Sequence, residues 1–221
     1  MTPEQKREFF KPTFTLKGRI FYPNLLTAKA KKEGGREIFD VMFGFDPKDP
    51  ANAASIAAMG DFMGKAKNQF HPTVPVQFWV NPIKKYETYV RQDGKPNPEF
   101  LKGLSWFNAS TGKDFPPVVV DQHRQPIMNP AEVYSGRNAV INVSFWAIDN
   151  EKKGLSMNVH AVMLLDGGEK VASGGAPAVN VNQIFGSFAA DTVPAGNNTS
   201  TAQDPFGATS SNNGGTFGGF V

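Results

Sequence analysis

Basic and aromatic side chains are interleaved in one stretch near the middle of the chain. Residues 81–102 read NPIKKYETYVRQDGKPNPEFLK and place Tyr86 and Tyr89 among four basic residues that precede Pro96. Cations can follow a phosphate backbone while ring faces stack on unpaired bases, so the stretch predicts a groove for single-stranded nucleic acid. The alternative is a solvated hairpin, turning at Asp93-Gly94, whose tyrosines cover the end of a barrel.

Other aromatic side chains fall on the predicted polar faces of strands. Successive side chains of a strand point to opposite faces. In TFTLKGRIFY, residues 13–22, Phe21 therefore lies on the same face as Lys17 and Arg19. Trp79 and Trp146 hold the same kind of position in two further predicted strands. Trp106 is followed directly by a phenylalanine, so one of that pair must face the core and the other must face outward.

We predict that these residues form one binding surface with two kinds of contact. The stacking candidates are the aromatic residues Phe21, Trp79, Tyr86, Tyr89, Trp106 and Trp146. The phosphate-binding candidates are the basic residues Lys17, Arg19, Lys84, Lys85, Arg91 and Arg137. Because aromatic residues more often serve as core or barrel-end packing, we expect about three or four of the six rings to stack on bases.

Residue types that would support catalysis are scattered along the sequence. His71, His123 and His160 are isolated from one another, and neither a nucleophile elbow nor zinc-ligand or paired-acid spacing is present. The sequence therefore predicts no enzymatic activity, no metal and no other cofactor. We expect His160 to be a hydrogen-bonded surface residue of its strand rather than a general base.

Two long alternating runs over residues 134–165 are predicted to form the central hairpin of the fold. A polar turn at 149–154 separates them, and each run has one apolar face and one polar face. The predicted inward residues of the first run are Ala139, Ile141, Val143, Phe145 and Ala147. Trp146 is the large aromatic on the opposite, wet face.

The remaining patterns complete a mostly β architecture. Further strands are predicted at 13–22, 36–45, 74–80 and 118–120, and a helix with core-facing residues at spacings of three and four begins at Asp49. This inventory favours an antiparallel barrel or sandwich with one main helix. The best match is a five-stranded OB barrel with extra strands, a fold whose outer face and loops bind oligonucleotides.

Composition places limits on the setting of the protein. The chain has no cysteine, its N-terminus lacks a signal-peptide pattern, and no apolar run reaches transmembrane length. We therefore expect a soluble intracellular protein without a membrane partner. No Lys or Arg follows Lys170, so the body of the chain is basic and suits a polyanion.

The C-terminal part of the chain has a different character. Residues 187–221 are rich in Gly, Ser, Thr, Asn, Ala and Pro without periodicity, which predicts a disordered tail. Its phenylalanines are candidate anchors for a partner protein, above all Phe206, Phe217 and Phe220. The predicted organisation is an N-terminal arm at 1–12, a binding domain at 13–186 and the tail at 187–221.

Several longer segments resemble a known family. FTLKGRIFYPNLLTAKA near the start, the YSG, WAIDNEKKGLS and LLDGG elements of the central hairpin, and the SGGAPA that precedes the tail are similar to phage-encoded single-stranded DNA-binding proteins with an OB fold. The similarity extends over about residues 13–186. It implies a protein that coats single-stranded DNA in the host cytoplasm during phage replication, recombination or repair.

The resemblance also implies partners, and it leaves alternatives open. Proteins of this class recruit replication or recombination proteins through an acidic tail that ends in an aromatic residue, whereas this tail has only Asp191 and Asp204, and Val221 follows its last phenylalanine. The protein is expected to be a monomer or a dimer. A phage structural or assembly protein and a single-stranded RNA-binding OB module are the competing interpretations.

Overall fold

The computed structural model describes residues 2–171. Two α-helices are present in this part of the chain, α1 (Pro3–Phe9) and α2 (Ala53–Phe70). The strands are β1 (Thr13–Ala30), β2 (Glu37–Phe45), β3 (Lys84–Lys85), β4 (Ser105–Gly112), β5 (Val118–Val120), β6 (Asn138–Asp149) and β7 (Lys153–Leu164). The predicted tail at 187–221, with Phe206, Phe217 and Phe220, lies outside the described residues, as do residues 172–186.

Five of the strands form a closed barrel. The sheet order is β3-β4-β2-β1-β6-β7-β5, and β4 also pairs with β7, so β1, β2, β4, β7 and β6 make a ring. The closing contact is parallel and joins Ala109 to Met157. β3 adds to β4 and β5 adds to β7 outside this ring. The predicted five-stranded barrel with extra strands is confirmed.

Alternate residues of the ring strands fill the interior of the barrel. Phe43 of β2, Phe107 of β4 and Phe145 of β6 are all fully buried and belong to one apolar cluster. The inward parity predicted for β6 is confirmed, because every predicted inward residue of that strand is buried. In β7 the alternation does not continue unbroken, since a register shift beyond Val159 brings Val162 and Leu164 into the core. The other face of β6 carries Asn142 and Trp146, and it belongs to the outer wall on which an OB barrel binds its ligands.

The predicted helix closes one side of this core. Asp49 accepts a hydrogen bond from the backbone N–H of Ala51 at 2.9 Å, which starts a 3-10 turn that leads into α2. Phe62 of α2 stacks on Phe145 with ring centroids 5.3 Å apart. The residues predicted as an N-terminal arm contain α1, and Phe10 after it packs 5.0 Å from Phe70. This aromatic packing holds the N-terminus against the barrel.

A long connection between α2 and β4 covers part of the outer wall. We call residues 81–104 the cap. Its Tyr86, Tyr89 and Leu101 pack on Phe21 and Trp106, which project from the outside of the barrel, and form a second apolar cluster. Asn97 ties the cap together, since its amide donates to the backbone carbonyls of Tyr86 at 3.0 Å and Tyr89 at 2.8 Å.

The prediction of a strand over residues 74–80 is wrong. Val76–Phe78 is a 3-10 turn, and only Val80 makes a bridge, to Gly154. Proline at 72 and 75 removes backbone donors and restricts the residue before each ring, so a continuous strand cannot form there. Val76 and Phe78 consequently face solvent, and they are 72% and 70% exposed.

One buried histidine fixes the segment that follows this turn. His71 is 4% exposed, and its Nδ1 accepts a hydrogen bond from the indole Nε1–H of Trp79 at 3.2 Å. Its Nε2 lies 3.8 Å from Oδ1 of Asp149. Burial lowers the pKa of His71 below its ordinary value, and the Asp149 carboxylate opposes that shift. The neutral imidazole is therefore the form that holds Trp79.

We predict that folding stability falls as pH drops below about 6.5, because the unfolded chain takes up the His71 proton before the folded chain does. The His71→Asn variant keeps an acceptor near the indole but does not titrate, so its melting temperature should depend less on pH. Thermal unfolding of both proteins between neutral and acid pH measures this difference. Parallel pH profiles would contradict the role assigned to His71.

Candidate nucleic-acid interface

The outer face of β2 and β4 forms the centre of the candidate site. Outward-facing positions of the two strands stand opposite one another, with Met42 beside Asn108 and Ile38 beside Gly112. These pairs are four residues apart along β2, or about 13 Å at the rise of a strand. A groove opens at each end of this strip. A linear ligand could therefore enter one groove, cross the strip and occupy the other.

The larger groove has a volume of about 870 Å³. We call it the tryptophan groove, and its lining includes Arg7, Arg36, Ser110, Asp114, Phe115, Trp146, Asn158 and His160. Trp146 is 39% exposed and Phe115 is 70% exposed. These two side chains offer aromatic surface to a ligand in a groove that also contains two guanidinium groups.

Trp146 is held from behind by the N-terminal residues. Its ring centroid is 5.6 Å from that of Phe10, and the ammonium of Lys6 lies 5.7 Å from the indole centroid. Packing on one side restricts the rotamers of the indole, and this reduces the entropy lost when a base stacks on it. The ammonium adds positive potential near the stacking position.

Arg36 reaches the groove because β4 ends in a glycine. A methyl group at Gly112 would occupy the position of the Arg36 guanidinium. Neither Arg36 nor Arg7 forms an ion pair within residues 2–171. Asp114 is the carboxylate in the same lining. The two arginines are thus available to bind phosphate at the end of the strip.

His160 contributes a neutral polar group to the tryptophan groove. Its Nε2 lies 2.8 Å from the hydroxyl oxygen of Ser144, and burial lowers its pKa below the ordinary value. An imidazole that is neutral at pH 7 can exchange hydrogen bonds with a base or sugar but adds no charge for phosphate. The prediction that His160 is a hydrogen-bonded residue of the exposed strand face is confirmed.

The smaller groove lies against the cap and has a volume of about 360 Å³. We call it the tyrosine groove, and its lining includes Tyr22, Lys84, Tyr89, Arg91, Asp93 and Asn97. The ammonium of Lys84 lies 4.6 Å from the ring centroid of Tyr89. Four of the predicted site residues, Lys84, Tyr89, Arg91 and Trp106, therefore come together here.

Arg91 is partly neutralised within that groove. Its Nε and Nη2 donate to the two carboxylate oxygens of Asp93 at 2.8 and 2.6 Å. This contact holds the pKa of Asp93 far below its usual range. The Asp93 carboxylate stays ionised and cancels the charge of Arg91. Of the two cations that line the tyrosine groove, only Lys84 has no carboxylate partner.

The expectation that Phe21 and Trp106 face solvent is wrong. Phe21 points away from the barrel core, as its parity predicts, and so does Trp106, whose direction the sequence left open. They are nevertheless 0% and 2% exposed, because the cap packs over them. Tyr86 is half-buried in the same cluster. Trp79 is half-buried, packs against the main core and donates to His71. None of these rings has the open face that Trp146 offers.

The predicted phosphate-binding residues also lie on different surfaces of the barrel. Lys17 and Arg19 line a third groove with three carboxylates, those of Asp46, Asp49 and Asp166. Their contact with phosphate stays a prediction, and the mixed charge there makes the groove a weaker anion site. Lys85 is exposed on β3, and its contact with phosphate also stays a prediction.

Arg137 has a structural role. It donates to the backbone carbonyls of Glu132 at 2.7 Å and Leu165 at 3.1 Å. The first bond holds Arg137 to the turn that precedes β6, and the second joins the start of β6 to the end of β7.

Sequence reasoning missed Phe115, Arg36 and Tyr22. Phe115 lies in the turn TGKDFPP, where a large aromatic between an acid and two prolines could have been recognised as exposed. Arg36 follows the Gly-Gly of the β1–β2 loop, and no sequence pattern around it indicates a phosphate contact. The position of Tyr22 depends on a backbone irregularity in β1 that the alternating pattern does not reveal.

Comparison with known proteins shows the family to which this chain belongs. A family model described as "Enterobacter phage Enc34, ssDNA-binding protein" matches residues 12–192. The chain belongs to this family. The resemblance drawn from the sequence, over about residues 13–186, is thereby confirmed. Comparison with curated proteins gives no match.

Solved structures of the family member from bacteriophage Enc34 have the same fold. The Enc34 single-stranded DNA-binding protein is 14% identical with a TM-score of 0.58, over 79% of this chain and 90% of that chain. The same phage protein in complex with ssDNA is 17% identical with a TM-score of 0.55, over 74% of this chain and 89% of that chain. At such identities the likeness shows a shared fold.

The described residues hold neither a metal-binding cluster nor a membrane-spanning helix. Within residues 2–171, His, Asp and Glu side chains form no group of three or more that could hold a metal ion. In the same part of the chain, neither helix is both long and apolar enough to cross a bilayer.

Burial predicts opposite consequences for two tryptophans. Trp106→Ala should lower the free energy of unfolding by about 3–5 kcal/mol, because it opens a cavity beneath the cap. Trp146→Ala should cost less than half of that, since its ring is partly solvated in the folded protein. Urea unfolding of the two variants beside the wild type tests the assignment. Equal losses would show that Trp146 is a packing residue rather than a surface one.

Proposed function

We propose that this chain binds and coats single-stranded DNA, without sequence specificity, during phage DNA replication, recombination or repair in the host cytoplasm. The observation that carries the proposal is the tryptophan groove on the outer wall of an OB barrel. Exposed Trp146 and Phe115 stand there beside Arg7 and Arg36. Aromatic faces next to guanidinium groups suit a ligand with both unpaired bases and phosphates.

The strand of DNA would run along the outer face of β2 and β4. One base stacks on Trp146 and another on Phe115, while the arginines bind the flanking phosphates. The path then crosses the strip toward Lys84 and Tyr89 in the tyrosine groove. Asp40 lies on this strip, but Lys31 pairs with it at 2.9 Å and reduces its repulsion of phosphate.

Selectivity for single strands follows from the same contacts. In a duplex the base faces stack on one another, so Trp146 and Phe115 would have no surface to stack on. The polar groups along the groove, Ser110, Asn158 and His160, can bond to base edges without demanding one base. Stacking accepts every base because each has a π face. Binding is therefore expected to be sequence-tolerant.

The C-terminal residues would serve a different purpose in this proposal. Phe206, Phe217 and Phe220 remain candidate anchors for replication or recombination proteins, and they lie outside the described residues. The competing RNA-binding function uses the same groove chemistry, since stacking and phosphate contacts are common to both polymers. We place DNA first because the family to which the chain belongs is described as ssDNA-binding.

Phe115 and Phe78 form a matched pair for testing the groove. Both are 70% exposed, but only Phe115 lines the tryptophan groove. Phe115→Ala should weaken binding of labelled oligo-dT by about 1–3 kcal/mol, because a stacked base loses its ring. Phe78→Ala should bind as the wild type does. Fluorescence anisotropy with oligo-dT and with matched duplex DNA measures both the affinities and the preference for single strands.

Two results would contradict the proposal of a stacking groove. One is equal affinity of the Phe115→Ala and Phe78→Ala variants. The other is tighter binding of the duplex than of oligo-dT by the wild type.

Arg36 is expected to contribute a phosphate contact. The slope of log affinity against log salt should become shallower by about 0.7 in Arg36→Ala, because one fewer counterion is released from the single strand. Lys65→Ala on α2 is the control, since it removes one positive charge from an exposed residue that lines neither groove. Binding titrations at several salt concentrations give the slopes. Identical slopes in the two variants would remove Arg36 from the interface.

A further inference from the structure

Tyr22 stands where two concave surfaces meet. It lines the tyrosine groove, and it also lines a neighbouring cleft of about 490 Å³. We call this neighbour the lysine cleft, and its lining includes Lys29, Tyr134, Ser135 and Lys170. Tyr22 is 43% exposed, so its ring offers a surface that connects the two depressions.

The backbone at Tyr22 adopts an unusual conformation that positions this ring. Its φ of 48° lies in the left-handed region, which a tyrosine rarely occupies. The conformation is fixed from both sides, since the Tyr22 N–H donates to the hydroxyl of Ser135 at 3.1 Å and Gly136 N–H donates to the Ile20 carbonyl at 2.7 Å. Strain of this kind is retained where surrounding structure enforces it, and it is concentrated at ligand sites.

The charges of the lysine cleft are all of one sign. Lys29 and Lys170 are its ionisable side chains apart from tyrosine hydroxyls, and neither forms an ion pair within residues 2–171. The Lys170 ammonium lies 6.0 Å from the ring centroid of Tyr134. By contrast, Asp114 lines the tryptophan groove and Asp93 lines the tyrosine groove. Two cations without a carboxylate in a concave surface favour a polyanion.

We propose that the DNA path extends past Tyr22 into the lysine cleft, where Lys29 and Lys170 bind the phosphates of a second segment of the same strand. This inference rests on the proposed function and lengthens its binding site. Tyr22 stacks at the junction, and the two lysines hold the backbone beyond it. The cleft is then occupied only when the oligonucleotide is long enough to cover the β2–β4 strip and continue past Tyr22.

Dependence of affinity on oligonucleotide length tests this extension. The full-length Lys29→Ala/Lys170→Ala variant is compared with the wild type on an oligo-dT series of about 4 to about 16 nucleotides. The control is Lys48→Ala/Lys65→Ala, which removes the same charge from exposed residues that line neither the grooves nor the cleft. Thermal unfolding of each protein is measured alongside to compare their folded states.

The cleft variant should bind the shortest oligomers as the wild type does and bind the longest about tenfold more weakly near physiological salt, with a salt slope shallower by about 1.4. The control should match the wild type at every length. An unchanged cleft variant, or one that is weakened equally at all lengths, would overturn the extension while leaving the tryptophan groove in place. Failure of the wild type to bind any oligomer would overturn the proposed function and the extension together.

Discussion

Closure of the sheet between β4 and β7 is the constraint on which the rest of this structure depends. The two strands meet through the bridge from Ala109 to Met157, and this contact completes the ring of five strands. In a closed ring every strand has one face toward the core and one toward the outside. The alternating sequence thereby becomes an apolar interior around Phe43 and Phe107 and an outer wall that is free to carry a binding site.

The cap, residues 81–104, then divides that outer wall. It covers Phe21 and Trp106 and converts them from exposed rings into a second apolar cluster. The strip on β2 and β4 remains open between the tryptophan groove and the tyrosine groove. Aromatic residues on the same wall therefore have two different tasks, since some stabilise the cap and others are open to a ligand.

Pairing of charges decides where an anion would bind, more than the number of cations does. Arg91 is matched by Asp93, Lys31 by Asp40, and Arg137 is held by backbone carbonyls. A paired or hydrogen-bonded cation must give up its partner or share it before it can hold a phosphate. Arginines without an ion pair line the tryptophan groove, and lysines without one line the lysine cleft, at the two ends of the proposed path.

The sequence by itself determined the periodic features of this protein: most of the barrel strands, the presence of one main helix after Asp49, the outward position of Trp146 and the family resemblance. Each of these depends on residues close together in the chain. Tertiary structure alone decided which outward rings stay open. Phe21 and Trp106 have outward parity just as Trp146 has, yet the cap buries the first two and leaves the third exposed. Parity is a local property of a strand, whereas coverage depends on where a distant segment packs.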